Sequence, residues 1–165
     1  MHNQLTKQDI QKMQEEIEYR KITVRQELLE HVKTARAHGD LSENFEYKAA
    51  KKEKNANESR IRFLERMIRT AEIVSDESAD DEVGLNKAVT VEFVDDHTEE
   101  TYKLVTTMRE NSLKNLISNE SPVGKALLGK KVGDTVTVVV NERVSYDVIV
   151  KKIEEMDEDV ALNKF

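Results

Sequence analysis

The stretch "HGDLSENFEY", residues 38–47, lies between two long helix-forming runs and decides how the chain is read. Upstream, from Lys7 to about Arg36, Ile10, Met13, Ile17, Val24, Leu28, Val32 and Ala35 recur at spacings of three, four or seven with charges between them, which predicts one continuous amphipathic helix. Downstream, from Glu43 to about Val74, Ala50, Lys54, Asn57, Ile61, Leu64, Ile68 and Ala71 alternate spacings of four and three, the seam of a coiled coil. Two such helices joined by a short Gly-containing segment fold back as an antiparallel hairpin. At 1.5 Å per residue, each arm of about 30 residues is a rod of roughly 45 Å. The base of the seam is apolar, whereas Ala50, Lys54 and Asn57 make the half nearer residues 38–47 small and polar. Polar seam positions fix register at some cost in stability; a slender, wettable end also suits entry into a channel.

The second half changes period. "SDESADDEVGLN" (75–86) is rich in acids, has no base and reads as a solvated linker over 76–86. "KAVTVEFV" (87–94), "TYKLVTTM" (101–108), "TVTVVVN" (135–141) and "SYDVIVKKI" (145–153) alternate or run β-branched, as strands do. "SPVGKALLG" (121–129) reads as a short helix with Ser121 as cap, Pro122 in the first turn and Gly129 at its end. The expectation is an α+β chain in four parts. These are a hairpin over 1–75, the linker, a compact domain of four strands and one helix over 87–153, and a frayed acidic tail over 154–165.

Composition narrows the function. The chain has 165 residues and a net charge of −7; it has no Cys, which excludes disulfides and thiolate metal sites, and only four scattered His, which argue against a histidine-rich metal site. Residues 1–74 carry 15 Lys and Arg against 13 Asp and Glu, and residues 75–165 carry 11 against 20. An acidic chain cannot hold a nucleic acid by bulk electrostatics, so such contact is local or made through a partner. Charges throughout the first thirty residues and the lack of a long apolar run predict no signal peptide and no membrane span, hence a cytoplasmic protein. No Ser/His/Asp set, P-loop or dinucleotide-binding glycine pattern marks a self-contained enzyme.

Two clusters carry chemistry. Asp40 and Glu43 stand three apart at a helix start, where carboxylates share a face about 5–6 Å apart at Cβ. They could form a capping box, the commoner reading of that pattern, or both reach one hard divalent cation. Two carboxylates are too few for a tight magnesium site, so the second reading needs ligands from elsewhere. Lys48, Lys51, Lys52 and Lys54 follow, interleaved with Phe45 and Tyr47. This is either a solvated face or a small phosphate-contacting patch with rings available for stacking.

"ARAHGDLSENFEYKAAKKE" (35–53), through Ala35, Arg36, Gly39, Asp40, Leu41, Glu43, Asn44, Glu46, Tyr47, Ala49 and Ala50, closely resembles the hairpin tip of the bacterial Gre transcript-cleavage factors. "RIRFLERMIRTAEIV" (60–74) is similar to that family's returning helix, and "ESPVGKALLGKKVGDTV" (120–136) to a stretch of its C-terminal FKBP-like domain. "EYKAAK" lies nearer to the GreA than to the GreB branch. The resemblance implies an accessory factor, not an enzyme. It would enter the secondary channel of bacterial RNA polymerase, as a monomer, and stimulate the polymerase's own cleavage of backtracked nascent RNA. It assigns Asp40 and Glu43 to the second Mg2+ and its attacking water, Asn44 and Ser42 to their support, and Glu120, Ser121 and Pro122 to the channel rim. The basic-aromatic cluster of Tyr47, Lys48, Lys51 and Lys52 becomes the candidate contact with the RNA 3′ end.

This sequence departs from the family in having Asp9 in place of a first-turn Gly, Phe45 in place of Ala, and "MRENSLKNLIS" (108–118) in place of a Glu-Ala-Asp-Pro segment. That last change puts the orientation or affinity of the C-terminal domain at issue. The alternatives are a channel-binding protein that modulates or inhibits polymerase without stimulating cleavage, and an isolated coiled coil or FKBP-like structural module.

Overall fold

The computed structural model describes residues 3–39, 44–157 and 159–164. It divides into two units, one made of a helical hairpin and the other of a β-sheet.

In the first unit, α1 (Lys7–Tyr19) runs through a five-residue π segment, Arg20–Val24, into α2 (Arg25–Arg36), and α3 (Phe45–Arg69) returns alongside. The apolar periodicity holds: Met13, Ala35, Ala50, Ile61 and Leu64 are buried, and Asn57 is buried among them. The uninterrupted first helix expected from sequence is instead broken in register at Arg20–Val24. The cause is visible in Asn57 of α3. Its Nδ2 donates to the Arg20 carbonyl at 3.3 Å, while its Oδ1 accepts from Arg20 Nη1 at 3.0 Å. The same carbonyl accepts from the Arg25 backbone N–H, five residues on. A side chain inserted into the helical ladder is a recognised cause of such bulges. One outcome is that Tyr19 and Ile22 stand exposed on the outer surface.

The base of the hairpin is also less apolar than its periodic residues imply. Arg60, only 6 % exposed, donates from Nε and Nη2 to Glu16 at 2.8 and 3.1 Å, and Arg20 Nε donates to the same carboxylate at 2.7 Å. Burial raises the Glu16 pKa, but the hydrogen bonds from Arg60 and Arg20 outweigh it and hold the carboxyl below its ordinary 4.5. Arg25, further out, forms a fork onto Glu58 at 3.0 and 2.8 Å, and Lys21 meets Glu65 at 2.6 Å. Apart from Arg20 with Glu16, which lie one turn apart in the first arm, these pairs cross from one arm to the other and set the register of the seam.

In the second unit, β1 (Gln4–Leu5) pairs in parallel with β2 (Glu72–Ile73). The main sheet contains β3 (Lys87–Phe93), β4 (Glu99–Val105), β5 (Leu116–Ser118), β6 (Thr135–Val139) and β7 (Ser145–Glu155), in the order β5-β4-β3-β7-β6. All neighbours are antiparallel except β4 and β5. Val89 and Val91, Val136 and Val138, Val148 and Val150 point alternately inward and pack with Val83, Leu104 and Leu127. Each such burial stabilises by roughly 1.5–3 kcal/mol, which fixes the pleat because a one-residue slip would expose the whole set. The short helix α4 (Pro122–Leu127) closes the core through Leu127.

Four features differ from the sequence reading. The terminal pieces Gln4–Leu5 and Glu72–Ile73, assigned there to a hairpin of residues 1–75, pair with each other and belong with the β unit, where Gln4 Oε1 accepts from Asn119 Nδ2 at 2.8 Å. The linker is not solvated along its length. Val83 and Leu85 are buried, and the buried Lys87 ammonium donates to the carbonyls of Ala79 and Glu82. A fifth strand, β5, arises from the segment 108–118, where three residues are too few for alternation to declare itself. Residues 159–163 are not a frayed end; they bond back onto residues 107–110.

Replacing Glu16 with Gln would leave the buried Arg60 short of its counter-charge and should cost about 2 kcal/mol of hairpin stability at neutral pH, somewhat under a fully buried pair. Glu16 titrates below its unfolded value of 4.5 when folded, so its contribution is full above that pH and fades as pH falls through the folded value. Urea unfolding followed by circular dichroism should therefore show the gap between wild type and Glu16→Gln narrowing in acid.

Candidate functional site

α2 ends at Arg36 and α3 begins at Phe45. The chain leaves α2 through Gly39 at φ 129°, a backbone conformation that a residue with a Cβ rarely adopts. Asp40, Leu41, Ser42 and Glu43, which include the two acids and the supporting serine of the sequence reading, lie outside the described residues.

The cap of α3 is Asn44. Its Oδ1 accepts from the Tyr47 backbone N–H at 3.0 Å, and its Nδ2 donates to the Ala35 carbonyl at 2.6 Å. One side chain thus satisfies an orphan donor at the start of α3 and ties it to the last turn of α2, where the Ala35 carbonyl also accepts from the His38 N–H at 3.2 Å. The N-cap of α3 is thus the residue after Glu43, and the capping-box reading of Asp40 and Glu43 lies outside the described residues. Asn44 was read as a supporting residue, and its two bonds pin both helix ends that flank residues 40–43.

Around this clasp the side chains sort by charge. Rotating α3 by 100° per residue places Phe45, Lys48 and Lys52 on one face and Tyr47, Lys51 and Lys54 on the adjoining one, with Glu46 and Glu53 on the opposite side. Phe45 is 80 % exposed, and the Lys48 ammonium sits 5.7 Å from its ring centroid. The Arg36 guanidinium lies 5.5 Å from the Tyr47 ring centroid. A hydrogen bond from Arg36 holds the Tyr47 phenol below the usual tyrosine range, and Lys51 and Lys54 add to the effect. Glu46 instead meets His38 Nδ1 at 3.2 Å and borders an open groove of about 360 Å³. The small side chains of Ala35, Ala49 and Ala50 leave that groove unfilled. Among the described residues no three His, Asp or Glu side chains gather as a metal-ligand set.

The other predicted site residues, Glu120, Ser121 and Pro122, open α4. Ser121 Oγ accepts from the Gly124 N–H at 3.1 Å and donates to the Ser118 carbonyl at 2.6 Å, and Pro122 follows it, as the sequence pattern implied. A Cβ on Gly124 would stand 2.0 Å from the Ser118 carbonyl oxygen, so only Gly lets the helix start so close to β5. Glu120 Oε2 accepts from Thr107 Oγ1 at 2.8 Å. Sequence reasoning did not single out Thr107, because a lone Thr at a strand end carries no spacing signal.

A helical hairpin closed by an Asn clasp, carried with a small five-stranded sheet domain, defines the class of chain. Residues 3–73 match the family described as Transcription elongation factor, N-terminal, and residues 77–155 match Transcription elongation factor, GreA/GreB, C-term. The transcription elongation factor GreA of Streptococcus sanguinis (strain SK36) is 45% identical over 152 residues, 92% of this chain and 94% of that protein. GreA of Streptococcus pneumoniae serotype 19F (strain G54) is 44% identical over the same length. The crystal structure of GreA factor homolog 1 (Gfh1) of Thermus thermophilus is 27% identical, with a TM-score of 0.41 over 92% of this chain and 97% of that one. The chain belongs to the GreA/GreB family of transcription elongation factors.

Asn44→Ala should remove the cap at a cost of about 1 kcal/mol and also release Ala35. Amide exchange at Tyr47 should rise several-fold. Asn44→Asp should restore protection of the Tyr47 amide, since its carboxylate can still accept, but not the link to Ala35, since it cannot donate.

Proposed function

We propose that this elongation factor acts on bacterial RNA polymerase from within its secondary channel and stimulates the polymerase's cleavage of the 3′ end of backtracked nascent RNA. It works as an accessory protein in trans, as a monomer in the cytoplasm, and the bond-breaking centre is the polymerase's own. Among the described residues no helix is long and apolar enough to cross a membrane. The observation that carries the reading is the Asn44 clasp, set in a family shown by 45% identity over most of the chain. It draws the N-cap bond of α3 from the residue that follows Glu43 in the chain, so that bond calls on neither carboxylate.

Asp40 and Glu43 are hard oxygen donors, the kind magnesium takes, but two of them fall short of its octahedral shell. They would hold Mg2+ jointly with carboxylates of the polymerase. The shared ion would supply a water acidified by coordination and would neutralise charge on the scissile phosphodiester. The chain's own contribution is placement. Asn44 holds the two helix ends, Ser42 supports the acids, and α3, with 25 residues, gives a reach of roughly 37 Å. Lys48, Lys51 and Lys52 would meet RNA phosphates, and the rings of Tyr47 and Phe45 offer faces on which an unpaired base can stack. Glu120, Ser121 and Pro122 would dock on the channel rim.

The test is a purified, backtracked polymerase complex supplied with magnesium and this protein. Short 3′ fragments should be released quickly with wild type. Asp40→Asn combined with Glu43→Gln should lower the rate by at least about 100-fold, of the order expected for losing a positioned catalytic group, with binding retained. Wild-type cleavage by the double variant would refute the assignment, and binding with no gain in cleavage by wild type would instead mark a channel-binding modulator.

A further inference from the structure

The segment 108–118, where the chain departs from its family, and the acidic C-terminal end, which sequence left without a role, meet in the β unit. The Asn163 backbone N–H donates to the Met108 carbonyl at 2.6 Å. Its Nδ2 donates to the carbonyls of Thr107 and Glu110 at 3.3 and 3.1 Å. Arg109, 5 % exposed, donates from Nη1 to the Val160 carbonyl at 2.6 Å, with the Asp159 carboxylate 3.7 Å away. Residues 159–163 therefore lie as a strap across the 3₁₀ turn Thr107–Arg109.

That turn is also what holds the start of α4. Thr107 Oγ1 donates to Glu120 Oε2 at 2.8 Å and lies 3.0 Å from Ser118 Oγ, which accepts from the Glu120 N–H at 3.0 Å. The chain of bonds runs from Asn163 through Thr107 to Glu120, and Glu120 leads directly into Ser121 and Pro122. The turn is a single 3₁₀ loop between β4 and a second 3₁₀ turn, Ser112–Lys114, and its own backbone bonds are local ones, from Arg109 N–H to Thr106 at 2.9 Å and from Glu110 N–H to Thr107 at 3.4 Å. Such a segment opens easily unless something outside it supplies bonds.

The geometry points to the C-terminal segment 159–163 as a positioning strap for the Glu120–Ser121–Pro122 turn, with Asn163 as its main positioning residue. The strap fixes the direction of the Glu120 carboxylate before polymerase arrives, which lowers the ordering cost of docking. This rests on the proposed docking role of that turn.

Two full-length proteins, wild type and Asn163→Ala, and a chain ending at Asp157 are compared in two measurements. The first is amide exchange of the free proteins at Arg109, Asn119 and Glu120. The second is the factor concentration giving half-maximal cleavage in backtracked polymerase complexes, read separately from the maximal rate. The truncated chain should show about tenfold faster exchange at these amides and Asn163→Ala an intermediate change, as expected for losing several hydrogen bonds of ordinary net strength. Half-saturating concentration should rise about five- to tenfold in the same order while the maximal rate is kept, because residues 38–53 are untouched. Unchanged exchange in both variants overturns the strap. Faster exchange with unchanged half-saturation overturns its positioning role, provided that Glu120→Ala does weaken half-saturation. If Glu120→Ala also leaves half-saturation unchanged, it is the docking assignment of residues 120–122 that fails.

Discussion

The hairpin depends on one amide side chain. Asn44 accepts from the first turn of α3 and donates to the last turn of α2, so a single residue caps one helix and ties it to the other. An acid at this position could accept but not donate, and a serine is too short to reach both partners. The bond geometry accounts for why an Asn follows the acids in "DLSEN", and why neither Asp40 nor Glu43 is required by the described cap. Below this clasp the two arms are locked by charged contacts that cross the seam: Arg25 with Glu58, Arg20 with Asn57, and Arg60 with Glu16. Partly buried contacts of this kind contribute little net stability but penalise any other register. What these contacts supply to the hairpin is register more than a thick core.

The β unit solves a different problem with similar means. Its core is made of valines, one leucine from β4 and one from α4, and it supplies the rigid frame. What the frame positions is a turn, Glu120–Pro122, held by hydroxyls from Thr107 and Ser118 and by the close approach that Gly124 permits. Polar groups that could be solvated are satisfied internally instead, which orders a loop that would otherwise sample many directions.

Much of this was legible in the residues. The 3.6-residue and two-residue periods separated the helical half from the β half, and Ser121-Pro122 announced the start of α4. Other features were hidden for physical reasons. The π segment follows from Asn57 reaching across to Arg20, a contact between residues 37 positions apart that no local window displays. Arg60 scores as a surface residue by type, and only the paired carboxylate of Glu16 lets it be buried. The linker reads as solvated because acids dominate it, yet Lys87 turns its carbonyls inward. The strap at 159–163 uses mainly backbone carbonyls and one Asn, which leave no compositional trace. For the candidate site, the cluster of Phe45, Tyr47 and the lysines was visible as a pattern, but the choice of Asn44 as the cap was not. Asp-x-x-Glu offers the commoner capping box, and the reach to Ala35 is a tertiary fact.

The central claim is that the tip carboxylates complete a magnesium site that polymerase provides only in part. Its most direct test is the magnesium concentration at which backtracked complexes cleave at half their maximal rate, measured with and without the factor. The account predicts that wild-type protein lowers that concentration by about tenfold or more, as two added carboxylate ligands should, and that Asp40→Asn returns it toward the value of polymerase alone. An identical magnesium dependence with and without the factor, despite faster cleavage at saturating metal, would contradict it.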